Sequence, residues 1–408
     1  YEKALEIAKT LVSRTPDDLQ ALRDLSISYG RLGDLCNAEG SRTEAREYYE
    51  QSLEIAKTLV SRTPDDRQAL RDLSVSYERL GDLSDAEGSR AEARECYEKA
   101  REIRERIVSR TPDDLQALRD LSLSYERLGN LCNAEGSRTE AREYYEKALE
   151  IAKTLVSRTP DDRQALRDLS VSYNKLGNLS SAEGSRTAAR EYYEKGLEIA
   201  KTLVSRTPDN LQALRDLSCS YDGLGDLCKA EGSRNEAREY YEKALEIDKK
   251  LVSRTPDDLQ ALRALSVSYI KLGDLFDAEG SRAEARECYE KVLEISKNLV
   301  SRTPDDPLAP LALILSYFKL RDLSEVEGSR NEACEYHEKA REIYVQFASR
   351  IPDDFQAMLA QIFSYERLGD LSETKGGERK KGSAKGKHKR GDSRGKRKKG
   401  NTKGKRKK

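Results

Sequence analysis

Between Leu22 and Cys36 the apolar residues fall at Leu22, Leu25, Tyr29, Leu32 and Cys36, with polar residues filling the gaps. Those steps of three and four place them on one stripe of an α-helix. Gly40 stops the pattern, because glycine tolerates the left-handed conformation that closes a helix. A second stripe follows at Ala45, Tyr48, Tyr49, Leu53, Ala56, Leu59 and Val60. The flanking residues predict the helix ends. Thr15 is expected to cap helix A, with Pro16 in its first turn and Asp17 and Asp18 facing the positive end of its dipole, giving about 24 residues. Ser41-Arg42-Thr43-Glu44 reads as a capping box at the start of helix B. Arg62 falls near the negative end of helix B, where a cation is favoured.

This pattern recurs every 48 residues. The Pro-Asp-Asp motif stands at Pro16, Pro64, Pro112, Pro160, Pro208 (as Pro-Asp-Asn), Pro256, Pro304 and Pro352, with no insertion between copies. The capping-box pattern returns at Ser89, Ser137, Ser233, Ser281 and Ser329, and Ala188 breaks it once. Neither helix can bury its stripe alone, so neighbouring copies must supply the partner surface. The prediction is an all-α chain of stacked, antiparallel helix pairs.

The pattern Tyr29-x-x-Leu32-Gly33, Gly40, Ala45, Tyr49 resembles the tetratricopeptide repeat, and Tyr125, Leu128, Gly129, Gly136, Ala141, Tyr145 and Ala148 fit every slot of that repeat. The helices look longer than in the usual unit, much as in kinesin light chain repeats. The resemblance implies a right-handed α-solenoid superhelix over residues 1–375. It comprises eight periods, beginning within helix B and ending in a lone helix A from about Pro352 to Thr374. Two features predict that the array is kinked or loosened between about Pro304 and Arg321. Arg321 stands where Gly33 and its equivalents allow close packing, and Pro307 and Pro310 would break the first turns of that helix A.

The formal charge of zero hides a split. From Lys375 to Lys408 there are 18 Lys and Arg against two acids, leaving 56 basic against 72 acidic residues in the rest. The segment 376–408 has no aromatic and almost no apolar residue, so it is expected to be disordered. Lys396, Arg397, Lys398, Lys399, Lys405, Arg406, Lys407 and Lys408 form a duplicated Lys-Arg-Lys-Lys run suited to nonspecific contact with nucleic acid or another polyanion. An acidic membrane surface, or the chain's own acidic groove, would serve the same charge. Of the seven cysteines, Cys36, Cys132 and Cys228 alternate with Ser, and Cys96 and Cys288 with Tyr, so they read as small packing residues in a reducing, cytoplasmic setting. The chain opens at Tyr1, inside a repeat, which suggests a fragment.

In the family it resembles, ligands lie along the surface lined by helix A. That surface would present Gln20, Arg23, Ile27, Gly30, Asp34 and Asn37 with their equivalents. The Asp34 position reads Asp82, Asn130, Asn178, Asp226 and Asp274 further on, an acid-to-amide ladder that would attract a cationic, extended peptide. The Gly30 position varies to Glu78 and Glu126, and the Asn37 position to Asp85, either by drift or by tuning. A clamp for a partner's C-terminal carboxylate is excluded, because Gly30, Glu78 and Glu126 stand where it needs Lys.

Nothing in the sequence supports catalysis, a cofactor or a metal. His337 takes the Tyr49 position and is most simply a packing residue, and Cys334 beside it finds no further ligand. The expected function is a non-catalytic scaffold that presents a groove to a protein or extended peptide. A polyanion-associated protein tethered by its tail, or the sensor or adaptor part of a larger signalling enzyme, are the alternatives.

Overall fold

A computed structural model describes residues 1–303, 306, 308–348 and 359. Among them there are fifteen helices and no strand. Two compact bodies divide the chain after Leu299. The first holds α1 (Glu2–Arg14), α2 (Leu19–Ala38), α3 (Arg42–Arg62), α4 (Arg67–Ala86), α5 (Arg90–Arg110), α6 (Leu115–Ala134), α7 (Arg138–Arg158), α8 (Arg163–Ala182), α9 (Arg186–Arg206), α10 (Leu211–Glu231), α11 (Arg234–Arg254), α12 (Leu259–Glu279) and most of α13 (Arg282–Arg302). The second holds α14 (Leu308–Val326) and α15 (Arg330–Phe347). No helix among the described residues is long and apolar enough to cross a membrane. Apart from the buried Leu359, the expected lone final helix lies outside the described residues, as do the basic residues Lys396 to Lys408.

Even-numbered helices are the A helices and odd-numbered ones the B helices. Within a repeat the two run antiparallel: Ser26 meets Ser52 while Asp34 meets Tyr49, so one number rises as the other falls. Successive A helices run parallel, since Arg23 bonds Asp72 and Arg71 bonds Asp120 at a constant offset of 49 residues. Every stripe position expected in the first repeat is buried or partly buried. Leu22, Leu59 and Ala69 join two repeats in one cluster, and Tyr49, Leu53, Leu73 and Leu83 join them in another.

In six repeats a tyrosine ring of helix B is laid on a glycine of helix A. A Cβ at Gly33 would stand 2.5 Å from Tyr49 Cε1, and Gly81, Gly129, Gly177, Gly225 and Gly273 face their tyrosines in the same way. At the far end of helix A, Gly40 has φ 82°. This conformation lets the Ser41 amide donate back to the Cys36 carbonyl (2.8 Å) and closes the helix.

Three expectations about helix ends need correction. Helix A starts at Leu19, three residues later than expected, and is 20 residues long. Its cap is Asp18, whose carboxylate accepts from the amides of Gln20 (2.8 Å) and Ala21 (3.3 Å). Thr15 instead finishes the preceding helix, its hydroxyl donating to the Leu11 carbonyl (2.9 Å). The charged carboxylate is the stronger acceptor, and it stands directly before the free amides. Nor is there a capping box: Ser41 makes no side-chain cap bond. The glutamate of that pattern is taken by the repeat before it, as Glu92 accepts from Arg46 at 2.7 Å. Arg62 likewise does more than face a dipole, donating to the Pro16 carbonyl (3.1 Å) of the preceding loop.

In the second body, α14 runs unbroken from Leu308 to Val326 with Pro310 buried at its third residue. A proline there removes only an amide that has no partner within the helix, so the first turns survive. Pro304 and Pro307 lie outside the described residues. The glycine-to-arginine change at Arg321 coincides with loss of the facing tyrosine, since His337 holds the Tyr49 position. The Arg321 guanidinium packs 4.5 Å from the Phe318 ring.

Candidate functional site: the outer face of the A helices

Three tracks run along the face that the A helices turn away from their B partners. The first pairs arginine with aspartate across repeats. Arg23 donates to Asp72 (2.8 Å), Arg71 to Asp120 (2.7 Å) and Arg167 to Asp216 (2.7 Å), while Gln68, Gln116 and Gln212, the equivalents of Gln20, brace the same aspartates from one turn earlier.

The second track contains the expected ladder. Each acid or amide accepts from a tyrosine of its own repeat: Asp34 from Tyr49 (3.0 Å), Asp82 from Tyr97 (2.7 Å), Asn130 from Tyr145 (2.9 Å), Asn178 from Tyr193 (2.7 Å), Asp226 from Tyr241 (2.7 Å) and Asp274 from Tyr289 (2.8 Å). A cation from the following repeat then closes on the same group. Arg79 reaches Asp34 (2.8 Å), Arg127 reaches Asp82, Lys175 reaches Asn130 (3.0 Å) and Lys271 reaches Asp226 (3.0 Å). Burial and the adjacent carboxylate push the hydroxyl of Tyr97 above its ordinary range, so it stays a donor at neutral pH. The ladder is therefore a lock between repeats as well as a surface, and an incoming cation competes with one already seated. The cation position was missed in the sequence, although Arg31, Arg79, Arg127, Lys175 and Lys271 recur with the period.

The third track lies between the other two and is apolar. Ile27, Leu123 and Val267 are 39%, 40% and 44% exposed at one repeat position, which Val75 and Val171 share in partly buried form. Single exposed aliphatics are ordinary. Recurring at one position on parallel helices, they make a line that pairing has not consumed, between charges that it has.

The variable Gly30 position is more buried than its place on this face suggests. Glu78 is 8% exposed, held by the buried Arg104 of α5 and by Arg127 Nε (2.6 Å). Arg104 also donates to Ser74 (3.2 Å), Ser124 (2.8 Å) and the Asp120 carbonyl (2.9 Å). Burial, then the Asp168 charge, pushes the Glu126 carboxyl up to about 7. Asn37 and Asp85 are exposed near the helix A C-terminus. Away from this face, an open cleft of about 590 Å³ lies over Val108, Leu121, Tyr125 and Ile151, with Glu143 and Lys147 at its rim.

Among the described residues no group of His, Cys, Asp or Glu is arranged to hold a metal ion. All seven cysteines are free; Cys36, Cys132, Cys228 and Cys288 are buried, while Cys219 is exposed on the apolar track.

The tetratricopeptide repeat pattern matches residues 24–89, 122–185 and 216–298, together just over half of the chain. Two related patterns of the same description match residues 169–210 and 75–106. No curated protein matches the chain in sequence. Among solved structures it is similar to the apo form of RapI at 13% identity and a TM-score of 0.50, covering 79% of this chain and 99% of that one. It is also similar to BtubC (BKLC) from P. vanneervenii at 22% identity and a TM-score of 0.47, covering 62% and 89%. A third is a putative kinesin light chain from Podosopora anserina with nearly identical TPR-like repeats, at 25% identity and a TM-score of 0.39, covering 55% and 94%.

Proposed function

The chain belongs to the tetratricopeptide repeat family, and from that premise we propose that it is a non-catalytic scaffold whose A-helix face binds an extended segment of a protein partner. The observation that carries this reading is the apolar line of Ile27, Val75, Leu123, Val171 and Val267 between two tracks of paired charge. Apolar contact on that line supplies affinity, at about 25 cal/mol per Å² of apolar surface buried. The flanking groups Asp34, Asp82, Asn130, Asn178, Asp226 and Asp274, with Glu126, Asn37 and Asp85 nearby, supply orientation through the amide N–H groups of the asparagines and the carboxylate lone pairs that the lock does not use. Such arrays host many binding roles, so the fold alone does not choose the partner.

Free cysteines fit a reducing compartment, and the cytoplasm is the proposed location. The excess of 16 positive charges between Lys375 and Lys408 favours a second, weaker activity, nonspecific polyanion binding with steep salt dependence.

Panning a phage-displayed peptide library on the full chain tests the main reading. A selected peptide should lose at least tenfold in affinity for Leu123→Glu and keep it for Glu146→Ala on α7. Equal affinity for both variants overturns the assignment of the face.

A further inference from the structure

One place on this face breaks the charge pattern. Asp222 and Asp248 stand 26 residues apart, at the two repeat positions that Glu78 and Arg104 occupy three periods earlier. There, Arg104 meets Glu78 within a polar nest of Ser74 and Ser124. In the later repeat the nest is rebuilt: the Ser268 hydroxyl donates to Asp248 at 2.6 Å, and Ser218 takes the place of Ser74. Yet the guanidinium has become a second carboxylate.

Asp248 is 1% exposed, and its Oδ1 has no hydrogen-bond partner; Asp222 Oδ1 has none either. Of the cations nearby, Asp216 already accepts from Arg167 at 2.7 Å. The Lys271 ammonium alone serves Asp222 (3.5 Å) and Asp226 (3.0 Å). Asp222 and Asp226 thus share one ammonium, and among the described residues no cation pairs with Asp248. Burial pushes the carboxyls of both Asp222 and Asp248 up, that of Asp222 to about 6. An unpaired buried carboxylate is costly, and every other described repeat avoids it: Ala56, Ala152, Ala200 and Ser296 stand at the Asp248 position.

The place is also open. Asp222 keeps 18% of its side chain exposed, and Cys219 one turn earlier is exposed. Beside them, Gly223 replaces the cation that Arg79, Arg127, Lys175 and Lys271 supply in their own repeats. No side chain therefore crosses there toward Asn178, and the Tyr193 ring lies against the glycine.

We propose that Asp222 and Asp248 form a subsite for one arginine side chain of the partner segment, seated as Arg104 is seated within its own repeat. The guanidinium approaches from the exposed side at Cys219, pairs with Asp222, and donates to the free oxygen of Asp248. A planar, five-donor group suits this nest better than a point charge. The subsite deepens the scaffold reading and rests on it, naming the charge and register of what the face receives.

The test uses the full chain and a fluorescein-labelled heptapeptide, Ala-Leu-Ala-Arg-Ala-Leu-Ala, against the same peptide with neutral citrulline for arginine. Fluorescence anisotropy should show wild type preferring the arginine peptide at least fivefold. Asp248→Ala, which installs the residue found at Ala8, Ala56, Ala152 and Ala200, should erase that preference while raising the thermal midpoint. Asp222→Asn should weaken it in the same direction. A preference that survives in Asp248→Ala, or its absence from wild type, overturns the subsite. Binding of both peptides that is equal, yet lost in Val267→Glu, would sink the arginine subsite and leave the scaffold reading standing.

Discussion

Arg104 offers the sharpest test of how the repeats are joined. It is 3% exposed on α5, meets Glu78 of α4, and donates to Ser124 and the Asp120 carbonyl of α6. Removing it in Arg104→Ala strands Glu78 with Arg127 alone and leaves a cavity in the polar nest. Breaking a buried pair by deleting one partner costs about 3–5 kcal/mol. The sequence itself supplies the rescue. In the fourth repeat the same two positions read Asn174 and Ala200, and that repeat packs without an ion pair. The double change Glu78→Asn with Arg104→Ala should therefore recover most of the loss, to within about 1–2 kcal/mol of wild type, since replacing a whole buried pair is often near neutral. Urea denaturation followed by far-UV circular dichroism gives the global values, and hydrogen exchange of α5 and α6 peptides shows whether the loss is local. The reasoning fails if the double variant is as unstable as Arg104→Ala, or if Arg104→Ala lies within about 1 kcal/mol of wild type.

Gly129→Ala should cost about 2–4 kcal/mol, because the new methyl meets the Tyr145 ring at 2.6 Å and displaces the hydroxyl from Asn130; unchanged stability in a urea titration would contradict the lock. Ala188→Glu should restore the glutamate in the first turn of the next B helix that Arg46, Arg94 and Arg190 each pair with and Arg142 lacks, gaining about 0.5 kcal/mol that vanishes in high salt. Glu126 and Asp222 have folded-state pKa values raised to about 7 and about 6, above their unfolded values of roughly 4. Their penalty is thus full above pH 7 and is relieved as pH falls toward 4, so Glu126→Gln with Asp222→Asn should stabilise at pH 8 and make no difference near pH 4; a gain that is the same at both values refutes the shifts.

The architecture was legible because it rests on local signals repeated many times. The three-four spacing of Leu22, Leu25 and Leu32, the left-handed Gly40, and the small Gly33 opposite Tyr49 each speak within one repeat. The cap was misplaced because Thr15, Asp17 and Asp18 all favour a helix start, and only three dimensions show which of them sits before the free amides. The misread roles share one cause. Glu92 looked like half of a capping box, and Asp34 like a free acid. Each is claimed by a cation of another repeat, 45 or 46 residues away, at Arg46 and Arg79. Helical periodicity assigns a residue to a face and says nothing of what crosses to it from the next repeat. Glu78 likewise looked like a surface variation until Arg104, at the position of Ala8, Ala56, Ala152 and Ala200, was found beneath it.

The central claim is that charge on the A-helix face is spent joining repeats and that the apolar line is left for a partner. Methyl chemical-shift mapping of the full chain with a panned peptide tests it most directly. Perturbed methyls should trace Ile27, Val75, Leu123, Val171 and Val267. Perturbations gathered instead at Val108, Leu118, Leu121 and Ile151, in the cleft against α7, would contradict it.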